Sequence, residues 1–132
     1  MDWKGRLGRE TVGVALLGVL LLTGLYTSLE MSRSHRDIAR QLETGAWFAL
    51  AEDWENARTA VAAAESGWES RRDLSSLLAD HTPMEEIDAL FAQAGIHSAA
   101  RNREAFASVC ACLSRKVEAM GEAHRFSWQN LL

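Results

Sequence analysis

The segment from Thr11 to Leu29, TVGVALLGVLLLTGLYTSL, limits the possible folds of this chain more than any other. It contains no charged residue, and Lys4, Arg6 and Arg9 precede it. A helix needs about 20 apolar residues to cross the hydrocarbon core of a bilayer, and this run has about that length. Tyr26 stands near the far end of the run, where an aromatic ring suits the headgroup region. The segment therefore predicts one transmembrane helix.

Two other interpretations of this segment stay open. A basic start and an apolar centre are also typical of a cleaved signal peptide, although no Ala-x-Ala pattern occurs over residues 26–48, the stretch after Leu25. The other is a buried core helix, but a helix that is apolar all round needs a larger protein to surround it. We expect a retained anchor, which divides the chain into a basic tail over 1–10, a transmembrane helix over 11–29 and a bundle domain over 31–132.

Basic residues flank the span on both sides. Three of them precede it, and Arg33, Arg36 and Arg40 follow it, so the Lys and Arg counts do not decide the orientation. A short basic N-terminus ahead of a long C-terminal domain is typical of proteins whose N-terminus stays in the cytoplasm. We expect a single-pass protein of the cell membrane, with residues 31–132 outside the cytoplasm.

The charges of the chain are mixed along the sequence and slightly acidic overall. There are 14 Lys and Arg against 18 Asp and Glu, a formal net charge of −4. A nucleic-acid-binding protein needs a basic face, and a surface that binds anionic lipid needs a basic cluster. We therefore expect no nucleic acid as a partner.

The two cysteines, Cys110 and Cys112, stand two residues apart. On a helix this spacing points their side chains in nearly opposite directions, so they cannot form a disulfide with each other. Cys110 falls on an apolar stripe and is expected in the core. Because no Cys-x-x-Cys and no paired-His spacing occurs, we expect no metal and no cofactor.

Composition and periodicity after the span predict an all-α domain. Pro83 is the one proline, and no alternating apolar pattern indicates a strand. An apolar stripe predicts a helix over 31–50 that continues from the membrane. The stripe changes register near 51–53, where we expect a turn with Asp53 as the next helix cap. Three more helices are predicted, over 53–80, over 83–97 after the capping box Thr82-Pro83-Met84-Glu85, and from a possible cap at Asn102 onward. The expected architecture is one transmembrane helix followed by a small antiparallel bundle of about four helices.

Tryptophan is frequent in this chain, with five residues in all. Trp54 and Trp68 continue the apolar stripe and are expected in the core. For Trp47 two interpretations stay open, a residue of the core or part of an exposed patch for a partner. We take Leu42 and Trp47 on the first helix, together with Trp128 in the apolar C-terminal tail, as candidate partner-binding residues.

Few residues of this sequence indicate a catalytic site or a ligand-binding site. His81 follows Asp80 just before a helix start, where a structural role is the simpler interpretation. The alternative is an extracytoplasmic ligand- or metal-sensing module formed by Asp80, His81 and Asp88. No nucleophile elbow and no phosphate-binding glycine loop occurs, so we expect no enzyme. An unusual hydrolase would need His81 or His124 beside a carboxylate in a cleft.

The function that we expect is therefore tethering or scaffolding by a membrane-anchored interaction module. Its partner would be another membrane protein, a second copy of the chain or an envelope component. An anchor confines such a module to the plane of the membrane and so raises its effective concentration for a partner there.

Several short motifs that follow the anchor together resemble a known family. These are Trp47…Asp53-Trp54-x-x-Ala57, Trp68, His81-x-x-x-Glu85-Glu86-Ile87-Asp88 and Ser127-Trp128-Gln129-Asn130-Leu131. With them, nearly the whole chain resembles a family of small membrane-anchored proteins of unknown function, found mainly in clostridial, often spore-forming bacteria. The resemblance implies no activity and no catalytic residues. It implies that the residues around His81 and Asp88 define the fold or face a partner.

Overall fold

Four helices form the part of the chain that the computed structural model describes. That part is the backbone of residues 3–76 and 82–131, with the side chains in these ranges except those of 3–4, 7, 28, 31–32, 73–76, 82 and 124–131. The helices are α1 Trp3–Leu50, α2 Trp54–Ser76, α3 Thr82–Ala99 and α4 Arg103–Leu131. No strand occurs over these ranges, which confirms the all-helical prediction.

Helix α1 joins the apolar segment to the bundle without a break over 48 residues. A window of 20 residues, Gly8–Thr27, is long and apolar enough to cross a membrane, and none of it is buried against the rest of the protein. From His35 onward, one face of the same helix is buried against α2 and α4. The predicted tail over 1–10 is helical from Trp3, so its residues extend α1.

The turn between α1 and α2 is a Schellman motif followed at once by a helix cap. The amide of Glu52 donates to the carbonyl of Ala49, and the amide of Asp53 donates to that of Phe48, both at 2.9 Å. Glu52 has a φ of 60°, the left-handed conformation at which a helix end often carries glycine. The Asp53 carboxylate then accepts from the amide of Asn56 at 3.3 Å, so the predicted turn and its cap are both confirmed.

The turn between α3 and α4 repeats this construction. Arg101 has a φ of 51°, and its amide donates to Ser98 at 3.2 Å. The amide of Asn102 donates to His97 at 3.0 Å. The Asn102 side-chain oxygen accepts from the amide of Ala105 at 3.2 Å, which confirms Asn102 as the cap of α4.

Helices α1 and α4 lie antiparallel in one constant register. Three pairs along their length fix it: a Cβ on Gly121 would lie 3.0 Å from the His35 Cβ, Ser114 donates to Glu43 at 3.2 Å, and Arg103 lies 3.7 Å from Glu52. In each pair the two residue numbers add up to about 156. Helix α1 also packs against α2, and α3 packs against α4, while α2 and α3 meet at few points. The result is an up-and-down four-helix bundle in which the second half of α1 is one of the four helices.

One apolar core fills this bundle. Trp68 is among its largest fully buried side chains, and Trp54 packs at its edge with its ring edge-on to Phe106 at 5.5 Å. The expected core position is therefore confirmed for Trp68, while Trp54 is partly buried against the core. Every helix contributes, and the members are Ile38, Leu42, Ala49, Ala57, Val61, Ala64, Trp68, Met84, Ile87, Phe91, Ala94, Phe106, Cys110, Leu113 and Val117.

Two glycines let α1 approach its neighbours closely. A Cβ at Gly45 would lie 3.0 Å from a methyl carbon of Val61 and 3.4 Å from the carbonyl oxygen of Ala57. A Cβ at Gly121 would lie 3.0 Å from that of His35, which is itself buried. These contacts are tighter than ordinary van der Waals packing, so larger residues would push the helices apart.

Candidate functional site

Trp47 and Leu50 form an exposed apolar surface at the end of α1 furthest from the apolar segment. They stand three residues apart, on the same side of the helix, and their side chains are 77% and 50% exposed. The adjoining turn residues Ala51 and Glu52 are exposed as well. Apolar surface of this kind often marks an interaction site. We name Trp47 and Leu50 the distal surface.

The other two candidate partner-binding residues have different outcomes. Leu42 is completely buried in the core, between α1 and its neighbours, so the expectation that it faces a partner is corrected. Five residues separate Leu42 from Trp47, which places them on different faces of α1. Trp128 lies in α4, and its side chain is outside the described residues.

Asp88 forms hydrogen bonds that hold two helices together. One carboxylate oxygen accepts from the indole Nε1 of the buried Trp68 at 3.0 Å, and the other lies 2.8 Å from the Arg72 guanidinium. The contacts join α2 to α3, where these helices meet at few other points. Asp88 thus satisfies a buried donor. The spacing along the sequence did not indicate Arg72, because the pair forms only once α2 and α3 are packed.

Replacing Asp88 by alanine is expected to destabilise the bundle by about 1–3 kcal/mol, because the buried indole N–H of Trp68 loses its acceptor. Asp88→Asn keeps an oxygen that can accept from that N–H and loses only the ion pair with Arg72. In this ion pair the Arg72 side chain is 49% exposed and the Asp88 side chain is 32% exposed. Such a pair is worth about 0–1 kcal/mol. Urea unfolding followed by circular dichroism should therefore rank wild type, Asn and Ala in this order. Equal losses in the two variants would contradict the role of the indole hydrogen bond.

The alternative sensing site is only partly within the described residues. Asp80 and His81 lie outside them, and Asp88 is engaged by Trp68 and Arg72. Among the described side chains, no group of three or more His, Cys, Asp or Glu could hold a metal ion.

The two cysteines have contrasting environments. Cys110 is buried in the core, and this burial raises the pKa of its thiol to about 12, so it stays protonated at neutral pH. Cys112 is exposed. Both positions agree with the helical pattern that the sequence shows.

Over the described part of the bundle, two shallow clefts lie between neighbouring helices. The larger, about 310 Å³, lies between α3 and α4 and is lined by Pro83, Glu86, Ile87, Lys116, Ala119, Met120 and Ala123. Lys116 donates to Glu86 there at 2.7 Å, and this hydrogen bond raises the pKa of Lys116. The smaller, about 190 Å³, lies between α2 and α3, where Arg58 donates to the carbonyl and the hydroxyl of Ser98. The lining residues of the two clefts include no histidine and no cysteine.

These features define a class of small all-helical proteins in which a single apolar helix continues into a four-helix bundle. The chain belongs to the family described as Domain of unknown function (DUF4363), whose model matches residues 25–131. The expected membership in an uncharacterised family is thereby confirmed, while the clostridial origin stays an expectation. No curated protein and no solved structure matches the chain.

Proposed function

We propose that this protein is a single-pass membrane protein that works as a tethering or scaffold module rather than as an enzyme. The observation that carries the proposal is the construction of α1. Its first part is apolar and unburied over a full membrane-spanning length, and its second part belongs to the core of the bundle. An apolar helix of this length outside the bundle needs a lipid environment to cover it.

Retention of the helix, rather than its removal as a signal sequence, is supported by the same continuity. No loop separates Gly8–Thr27 from the bundle, since α1 is helical from Trp3 to Leu50. Signal peptides are cleaved in an accessible segment with small residues. We place the N-terminus in the cytoplasm and the bundle outside it, as the short basic N-terminus favours.

The distal surface supports binding as the activity. Trp47 is a large aromatic side chain that is 77% exposed, although the same helix buries smaller apolar residues. Aromatic residues of this kind are enriched among the energetically dominant contacts of protein interfaces. A protein partner, either another membrane protein or a second copy, would thus meet the bundle at Trp47 and Leu50.

The test combines topology with crosslinking in intact cells. A single cysteine at exposed Ala92 on α3, in a Cys110→Ala/Cys112→Ser background, should react with a membrane-impermeant maleimide before lysis. A photoreactive amino acid at position 47 should give a discrete crosslinked product, and the same group at position 92 is the matched control. Labelling only after lysis would contradict the proposed orientation. Equal or absent crosslinking at positions 47 and 92 would contradict the partner surface.

A further inference from the structure

Helix α4 extends past the bundle toward the proposed membrane. Its register with α1 is fixed by His35 beside Gly121 and Glu43 beside Ser114, and α4 continues for ten residues beyond Gly121, to Leu131. Both helices rise by about 1.5 Å per residue, so the register holds along their length. Residues 124–131 of α4 therefore lie at the levels of residues 32–25 of α1.

The apolar window of α1 shows where the bilayer would lie relative to these residue levels. If Gly8–Thr27 spans the hydrocarbon core, Thr27 marks its edge. The headgroup zone is about 5–7 Å thick on each side, which corresponds to four or five residues of helix. It therefore occupies the levels of residues 28–32. The last two turns of α4 pass through these levels and end beyond Thr27.

Several residue types in this part of α4 suit the levels at which they stand, although Gln129 and Asn130 are polar at the levels of residues 27 and 26. Arg125 is at the level of residue 31, in the headgroup zone. The seven residues that follow, FSWQNLL, contain no charged side chain. Trp128 is at the level of residue 28, and tryptophan is enriched at the membrane–water boundary. Leu131, at the level of residue 25, is at the depth of hydrocarbon.

We infer that the C-terminal end of α4, residues 126–131, is a second membrane contact that enters the bilayer beside α1. The inference rests on the proposed membrane anchoring of α1. The bilayer itself is the occupant, and the contact is apolar rather than electrostatic. Near this end of the bundle, Arg33 and Arg36 of α1 stand among acidic residues such as Glu30 and Asp37. A phosphatidylcholine bilayer should thus suffice.

The experiment measures depth in the membrane for the full-length chain in phosphatidylcholine vesicles. Single cysteines are placed one at a time at positions 126–131 in the Cys110→Ala/Cys112→Ser background and spin-labelled. Electron paramagnetic resonance then compares the access of oxygen, which concentrates in lipid, with that of a water-soluble nickel chelate. Two reference positions are Leu17→Cys, at the centre of the span, and Ile96→Cys, at an exposed site of α3. Variants whose helicity or melting departs from the parent are set aside, and their neighbours are used.

The expected result is an oxygen-to-nickel ratio several-fold higher at those positions of 126–131 that either reagent reaches than at Ile96→Cys, increasing toward position 131. If Leu17→Cys reports lipid while every position of 126–131 reports water, or is closed to both reagents, the proposed second contact is wrong and the membrane anchoring by α1 is kept. If Leu17→Cys itself reports water, the membrane anchoring fails, and the inference fails with it.

Discussion

Replacing Trp68 by alanine is expected to lower the free energy of unfolding of the bundle by about 3–5 kcal/mol, the usual loss for a large aromatic residue removed from a core. Trp68 has no exposed surface, and its indole donates to Asp88. Domains of this size are stable by about 5–15 kcal/mol, so the variant should be close to unfolding at ordinary temperature. Urea unfolding of the full chain in detergent, followed by circular dichroism, measures the loss.

Trp47→Ala is the matched control, because it makes the same chemical change on the surface of the same bundle. Trp47 is 77% exposed, and surface substitutions usually change stability by less than about 0.5 kcal/mol. Similar losses in the two variants would contradict the burial that distinguishes the tryptophans. A stable Trp47→Ala variant that no longer crosslinks to the partner through a photoreactive amino acid at exposed Leu50 would also separate binding from folding at this position.

The double change Leu16→Arg/Leu20→Arg is expected to abolish membrane integration. Each arginine near the centre of a span costs about 2.5–3.5 kcal/mol on insertion, so two cost about 5–7 kcal/mol. Both leucines are exposed and lie outside the bundle, so its core is unaffected. Extraction of membranes with alkaline carbonate should release the variant and leave wild type in the pellet.

Leu16→Ile/Leu20→Ile is the control for this change, because it keeps the segment apolar and should stay in the pellet. Mass spectrometry of purified wild-type protein should find the residues of α1 from the N-terminus onward. A mature protein that begins after Leu29 would show that the segment is a cleaved signal sequence. An arginine variant that resists extraction would show that another part of the chain holds the protein in the membrane.

Local signals predicted much of the architecture. The stripe through Ile38 and Leu42 gave one buried face of α1, and the register change beyond it gave the turn that Asp53 closes. Cap chemistry also located the start of α4 at Asn102. Such signals can be recognised in the sequence because they depend on residues a few positions apart. The left-handed backbone conformation of Glu52 and Arg101 was harder to predict, since glycine is the usual residue at such a position of a helix end.

Candidate site residues were harder to predict, because their roles depend on packing between helices. Leu42 is a candidate for a partner surface by residue type, although the periodicity of its own stripe predicts the burial that the structure shows. His35 lies on the same stripe, three residues before Ile38, so its burial could have been predicted as well. The contacts of Asp88 with Trp68 and Arg72 join residues far apart along the chain, and no local pattern encodes them.

The unbroken helix α1 also fixes the distance between the membrane and the distal surface. Twenty residues separate Thr27, at the end of the apolar window, from Trp47, and at about 1.5 Å per residue they span about 30 Å. Because α1 is one continuous helix between Thr27 and Trp47, it holds the distal surface at this fixed distance from the hydrocarbon edge. A partner that lies flat on the bilayer would pass beneath Trp47, whereas one that projects about 30 Å from the membrane would meet it.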